Sequence, residues 1–326
     1  MAAARDDISR NIQRVGQAIG ASMAFISNYD GATVRLVVLP EYGLTGAPTR
    51  GPFPEWRAKA AFEMHGREYD DLGGVAQKLN IYLAGNAYEA DPNFPDLYFQ
   101  ASFILGPSGD VLLRYRRLIS LYSPSPYDVW ERYLQLYGAE ALFPVVDTEI
   151  GRLAAVASEE ILYPEIARCL VMRGAEVLVH STSEMGSPRA TAKDVAKRAR
   201  AAENIAFLVS ANAAGVMGTD LPAQSTTGMA KIIDYEGRIL AEAALGGDSM
   251  VATAALDIGA LRSRRRRAGL SNTLVRQPFQ AYAESYRKAS FHAPGQLAWG
   301  TADASSETLR TTQLEEINRL DEEGLI

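Results

Sequence analysis

Short, continuously apolar runs recur along this chain and alternate with stretches whose apolar residues fall at helical spacing, which restricts the fold to layered α/β architectures. The runs Val34 to Leu39, Ile81 to Gly85, Phe99 to Leu105, Gly151 to Ala157, Val177 to His180 and Phe207 to Asn212 are each too short for a helix and too apolar for an exposed loop. Each is predicted as a buried strand. Between them, Ile8, Ile12, Val15, Ile19 and Met23 predict a first helix, and Tyr69 to Leu79 predict a second. A third opens at Pro164 and stops at Gly174, and a long charged one opens at Ser187-Pro188 and runs to about Ala206. Pro107, Gly109 and Asp110 turn the chain into Val111 to Tyr115. Tyr235-Glu-Gly makes a hairpin turn after Ala230 to Asp234, and Val251 to Leu256 reads as a further strand. Strand pairs alternating with helices predict two sheets inside and helices outside.

Two regions fall outside this rhythm. Residues 117–143 are aromatic and proline-containing without clean periodicity, and read as a long loop bordering a site. Residues from about Arg262 to Ile326 are rich in charge, Ala, Ser and Thr, and read as an extended tail ending in an acidic helix, Thr312 to Glu323. The division expected is a main domain over 1–260 and a C-terminal extension over 261–326 placed at an oligomer interface.

Composition narrows the function. A formal net charge of −6 and a pI near 5.3 argue against nucleic acid as a partner, because phosphate binding needs a concentrated basic surface. The run Arg264-Arg265-Arg266-Arg267 reads as a solvated face or a carboxylate clamp. The single cysteine, Cys169, excludes an intramolecular disulfide and any multi-cysteine metal site, and its place on the apolar face of the Pro164 helix suits a structural role. No cofactor or metal motif is present, and no apolar run approaches the ~18 residues needed to span a membrane. The acidic amino terminus does not resemble an export signal, so a cytoplasmic protein acting on a small molecule is expected.

Three reactive side chains stand just beyond strand ends, where a turn exposes them to a pocket. Glu41 follows Leu36-Val-Val-Leu-Pro, with Gly43 and Gly46 releasing the chain; Arg117 follows Val111-Leu-Leu-Arg-Tyr-Arg; Ser158 follows Leu153-Ala-Ala-Val-Ala. Taken in order, these segments resemble the three signature blocks of the nitrilase superfamily, the carbon-nitrogen hydrolases. Asp147-Thr-Glu-Ile-Gly-Arg, Arg173-Gly-Ala-Glu-Val-Leu and Arg200-Ala-Ala-Glu-Asn-Ile-Ala-Phe-Leu-Val-Ser-Ala-Asn extend the likeness over roughly residues 8–260. It implies an αββα four-layer sandwich, commonly dimeric. It also implies a Glu-Lys-Cys triad in which a glutamate takes the thiol proton and a lysine stabilises developing negative charge.

Here the triad positions read Glu41, Arg117 and Ser158. Glu131, seven residues before Gly138, stands where many members carry a second glutamate. The resemblance implies a strand before the first helix that this sequence does not show, so a sheet edge is expected to be covered otherwise. A serine hydroxyl is far harder to deprotonate than a thiol, and an arginine cannot trade a proton as a lysine does. Two readings therefore stay open. One is a divergent amidase-type hydrolase of a small amide, nitrile or N-carbamoyl compound, with Glu159, Glu160 and His180 as possible supporting groups. The other is a catalytically inactive ligand-binding or protein-interaction module on the same fold.

Overall fold

The structure, a computed structural model, describes residues 2–48, 51–184, 191–215, 226, 228–244, 251–289, 291–297 and 304–326. The chain opens with α1 (Ala2–Asp30), whose Ile8, Ile12 and Ile19 form one buried stripe. β1 (Leu36–Val38) ends before Pro40, which has no N–H to extend a ladder. Then come α2 (Phe53–Ala60), β2 (Phe62–Glu63), α3 (Arg67–Leu79), β3 (Tyr82–Ala90), β4 (Tyr98–Leu105) and β5 (Val111–Arg116). β1, β3, β4 and β5 lie side by side in that order, with β2 beside the far end of β3. β1 runs parallel to β3, while β3, β4 and β5 alternate in direction, so β1, β3 and β5 all point the same way.

A second sheet follows, built from β6 (Val146–Thr148), β7 (Gly151–Ala157), β8 (Val177–Thr182), β9 (Phe207–Asn212), β10 (Lys231–Ile233) and β11 (Ile239–Glu242). Its order is β11-β10-β9-β8-β7-β6, parallel through β7, β8 and β9 and antiparallel at both edges. The inner faces of the two sheets share one core, where Tyr82, Ile104 and Tyr115 join Leu153, Val156 and Leu178. Outside the first sheet, α1 and α3 bury Ile8, Ile12, Leu72 and Ala76 against Leu83, Phe103 and Leu105. Outside the second, α5 (Pro164–Met172) and α6 (Ala192–Asn204) add Ile166, Leu170, Ala196 and Ala201. This is the αββα sandwich, and its double coverage explains why every residue of β3 and β4 is buried. One contact fixes the outer layer closely: a Cβ on Gly73 of α3 would stand 2.3 Å from the carbonyl oxygen of Gly109 in the β4–β5 turn.

Several expectations change. The loop expected over 117–143 contains α4 (Trp130–Tyr137) and a 3₁₀ turn at Ala139–Leu142. α4 buries only Tyr133 and has no side-chain cap, so its sequence carries little helical signal. Val251 to Leu256 joins no ladder. The hairpin turn instead folds Ile239–Glu242 back onto β10, and the alanine-rich 251–256 segment is largely exposed. Ser187-Pro188 lies outside the described residues; α6 begins at Ala192, capped by the Thr191 hydroxyl accepting from the Asp194 amide. Among the described residues no strand pairs with the outer edge of β1.

The C-terminal extension is not an extended tail. It holds α7 (Ile258–Arg266), α8 (Phe279–Lys288) and α9 (Ser306–Glu322). It packs on its own domain: Leu297, Ala304 and Leu309 are buried with Phe53, Tyr98 and Tyr133. The amides of Gly295 and Leu297 donate to the carbonyls of Tyr127 (2.8 Å) and Asp128 (3.0 Å). The arginine run is divided, with Arg265 donating to the carbonyls of Ile205 and Ala175 and Arg264 to that of Ser271. The carboxylate clamp lies beside it, where Arg152 and Arg262 grip the buried Glu176 and hold its carboxyl down at about 2.

Candidate active site

The two sheets meet at the C-terminal ends of β1 and β8. Ser181 Oγ donates to the Leu39 carbonyl at 2.7 Å, and the Glu41 amide donates to the Thr182 carbonyl at 3.4 Å. Since β5 points the same way as β1, and β7 the same way as β8, the residues following all four strands gather at one end of the sandwich. Glu41 stands there on a tight turn, followed by Tyr42 in the left-handed region at φ 65°. Ser158, directly after β7, is itself left-handed at φ 45° and only 5% exposed. A serine held there costs on the order of 1 kcal/mol or more and needs surrounding structure to fix it. That structure is visible. His180 Nε2 donates to the Ser158 carbonyl at 2.8 Å, and Arg200 donates to the carbonyls of Ile161 (3.0 Å) and Leu162 (2.9 Å) in the same 3₁₀ turn.

Glu41 is fully buried, and both of its oxygens accept hydrogen bonds. Gln100 Nε2 donates to Oε1 at 2.6 Å, while Ser158 Oγ and Ser183 Oγ donate to Oε2 at 2.7 and 2.6 Å. Arg117 Nη1 lies 3.6 Å from Oε1 and donates to Gln100 Oε1 at 2.6 Å. Its Nε donates to the Ile119 carbonyl at 2.6 Å, and its Nη2 pairs with Glu159. The guanidinium is thus occupied on all three nitrogens and bonds to Glu41's surroundings, not to Ser158. On the other side of Ser158 lies Lys193, from the first turn of α6, with Nζ 3.5 Å from Ser158 Oγ and 3.4 Å from Thr182 Oγ1.

Residues 4–266 match the family model for carbon-nitrogen hydrolases. The chain belongs to the carbon-nitrogen hydrolase family. Curated relatives include a formamidase from Bacillus cereus, 26% identical over 216 residues that make up 66% of this chain and 59% of that protein. A formamidase from Helicobacter acinonychis is 24% identical over 213 residues, 65% of this chain and 58% of that protein. The aligned stretch therefore spans less than two thirds of these relatives' length. Among solved structures, Saccharomyces cerevisiae Nit3 of the nitrilase superfamily superposes with a TM-score of 0.63 at 20% identity, over 81% of this chain and 90% of that one. A carbon-nitrogen hydrolase from Helicobacter pylori gives 0.63 at 18% identity, over 87% and 94%. A cysteine-to-serine mutant of a Nesterenkonia amidase gives 0.59 at 19% identity, over 86% and 92%. These carry the fold of the family; α8 and α9 lie beyond the residues that the family model matches.

The remaining residues singled out in the sequence divide sharply. Glu159 touches the site only through Arg117. Glu160 faces away from Ser158: its Oε1 accepts from the amides of Leu118 (2.7 Å) and Ile119 (3.1 Å), and its Oε2 from the Tyr115 hydroxyl (2.7 Å). It straps the turn after β5 to the turn after β7. Burial pushes its carboxyl up to about 7, against the downward pull of Arg117 and those donors. His180 is no base for Ser158. A carbonyl only accepts, so Nε2 carries the proton, and Nδ1 accepts from Ser210 Oγ at 2.9 Å. Burial, then Lys197, holds its pKa well below the ordinary 6.5 and keeps the ring neutral. Glu131 is exposed on the first turn of α4, with no hydrogen bond or ion pair to Glu41, Arg117 or Ser158.

Three residues of the site carry weaker sequence signals. Gln100 is a polar residue in the middle of a buried strand, which is itself a clue. Ser183 sits just past the end of β8. Lys193 lies among the charges of α6, where nothing in the pattern distinguishes it from its solvent-facing neighbours. Among the described residues no three His, Cys, Asp or Glu side chains group as metal ligands would, and no helix is long and apolar enough to cross a membrane.

Proposed function

We propose that this carbon-nitrogen hydrolase domain cleaves the C–N bond of a small amide, with Ser158 as nucleophile, Glu41 as its proton acceptor and Arg117 as the fixed charge that orients Glu41. The observation that carries this reading is the 2.7 Å hydrogen bond from Ser158 Oγ to Glu41 Oε2, made at the shared end of the two sheets by a serine in a strained backbone. Oγ attacks the carbonyl carbon as its proton passes to Glu41, the C–N bond breaks as the departing nitrogen takes up a proton, and water hydrolyses the resulting ester. The formamidases among its relatives support an amide as substrate class.

The family's lysine and cysteine are replaced here by Arg117 and Ser158. The arginine keeps a positive charge beside Glu41, and through Gln100 it fixes the carboxylate's position; its hydrogen bonds and ion pairs go to Gln100, Ile119, Glu41 and Glu159. The serine changes the acyl intermediate from a thioester to an ester and demands a stronger activating environment. Turnover of a panel of small amides, nitriles and N-carbamoyl compounds tests the reading. Wild-type protein is expected to hydrolyse at least one amide, and Ser158→Ala to abolish that activity with the melting temperature unchanged. If wild type and the Ser158→Cys/Arg117→Lys double variant are both silent across the panel, the ligand-binding module on this fold becomes the better reading.

A further inference from the structure

We propose that Lys193 is a catalytic residue, supplying from α6 the ammonium that the strand-end position of Arg117 no longer gives, so that Ser158 reacts between Lys193 and Glu41. The proposal rests on Ser158 being the group that is acylated, as argued above, and concerns what makes that possible. Ser158 Oγ has two polar neighbours with opposite roles: it donates to Glu41 Oε2 at 2.7 Å and accepts from Lys193 Nζ at 3.5 Å. Glu41 alone is a poor activator of a hydroxyl, but a cation against the same oxygen stabilises the alkoxide as it forms.

The surroundings suit an ammonium that gives up a proton. The neighbouring lysine of α6, Lys197, is paired with Glu184, and Lys231 with Asp194 and Glu242. Among the described residues no carboxylate stands within ion-pair distance of Lys193, whose hydrogen bonds go to two hydroxyls. The charged groups facing it are Glu41 after β1, Glu184 after β8, Glu159 in the 3₁₀ turn and Arg117 after β5. Burial is the largest influence on Lys193 and brings its pKa below the usual lysine value. The amino-terminal turn of a helix also opposes a cation. Arg117, by contrast, is held above the ordinary arginine value by Glu159, Glu41 and Glu160 despite its burial, and has no proton to trade.

The proton ledger closes without any further reactant. In acylation the Oγ–C bond forms, the Ser158 proton passes to Glu41, and the C–N bond breaks as Lys193 hands its proton to the departing nitrogen. In deacylation water gives a proton to the now neutral Lys193 amine and its oxygen bonds to the acyl carbon. The ester C–O bond then breaks, and Ser158 Oγ recovers its proton from Glu41. Amide and water become acid and amine, and both side chains return to their starting states.

An ethyl fluorophosphonate probe reads this without needing the natural substrate, because attack by Ser158 forms a P–O bond and expels fluoride, which requires no proton. Intact mass and peptide mapping over time are expected to show wild-type labelling at Ser158 and none in Ser158→Ala. Lys193→Met is expected to label on the order of 10²-fold more slowly. Lys193→Arg keeps the charge and should label within about tenfold of wild type, yet lose amide hydrolysis, since it cannot donate the proton. The wild-type labelling rate should also fall as alkali neutralises Lys193, a fall that Lys193→Arg removes. Labelling of Lys193→Met at the wild-type rate with an unchanged melting temperature overturns the proposal, as does a wild-type protein unlabelled at Ser158. Lysine-dependent labelling with no hydrolysis of formamide or acetamide supports it and removes the amide reading alone.

Discussion

Replacing Glu160 by glutamine should change how stability depends on pH. Its carboxyl is fully buried and raised from the ordinary 4.5 to about 7, with burial as the main cause. A carboxyl raised by folding binds its proton more tightly in the native state. Its contribution to stability is therefore fully present below the unfolded value and is lost as pH rises through the folded one. A rise of this size, at about 1.4 kcal/mol per pH unit, amounts to about 3 kcal/mol. The glutamine variant does not titrate, and it points an amide N–H toward donors that Glu160 now accepts, so it should be less stable overall. What matters is the difference between the two proteins. Measured by urea unfolding, the stability of wild type minus that of Glu160→Gln should shrink by about 3 kcal/mol between about pH 4 and about pH 8. A difference that stays flat would mean that the strap between the β5 and β7 turns is ionised in both states, and the reasoning from burial would be refuted.

Gly73→Ala should destabilise by about 1–3 kcal/mol, because its Cβ meets a backbone oxygen at 2.3 Å and neither the helix nor the turn has a flexible side chain to move; urea unfolding against wild type checks this. We also expect a dimer or larger assembly, since α8 buries none of its residues and leaves Tyr282 and Tyr286 exposed on a helix with an apolar side. Light scattering that returns the 35.4 kDa monomer at micromolar concentration would refute it.

The strands were legible because burial between two layers demands unbroken apolar runs, and the strand-end placement of Glu41, Arg117 and Ser158 followed from where those runs stop. Chemistry within the turns was less legible. Glu159 and Glu160 are adjacent and identical, yet one ion-pairs with Arg117 and the other bonds to two amides and a tyrosine, a difference set by which way a 3₁₀ turn points each side chain. Lys193 was hidden for a related reason: α6 is charged along its length, and only the packing of its first turn against β8 distinguishes a half-buried lysine turned to Thr182 from an exposed one. Val251 to Leu256 failed in the opposite sense. It has the apolar content of a strand, but a strand also needs an edge to pair with, and that depends on neighbours distant in sequence.

The loop after Arg117 is completed by residues made much later. Tyr127 bonds to the His292 carbonyl across 165 residues of chain, and the amides of Gly295 and Leu297 bond to the carbonyls of Tyr127 and Asp128. During synthesis both sheets and all four strand ends of the site therefore leave the ribosome before the segment that ties this loop down. A nascent chain then presents a nearly finished sandwich with the loop after Arg117 unfastened. Contacts of such long sequence separation form late, so the order of translation places the fastening of this loop at its end.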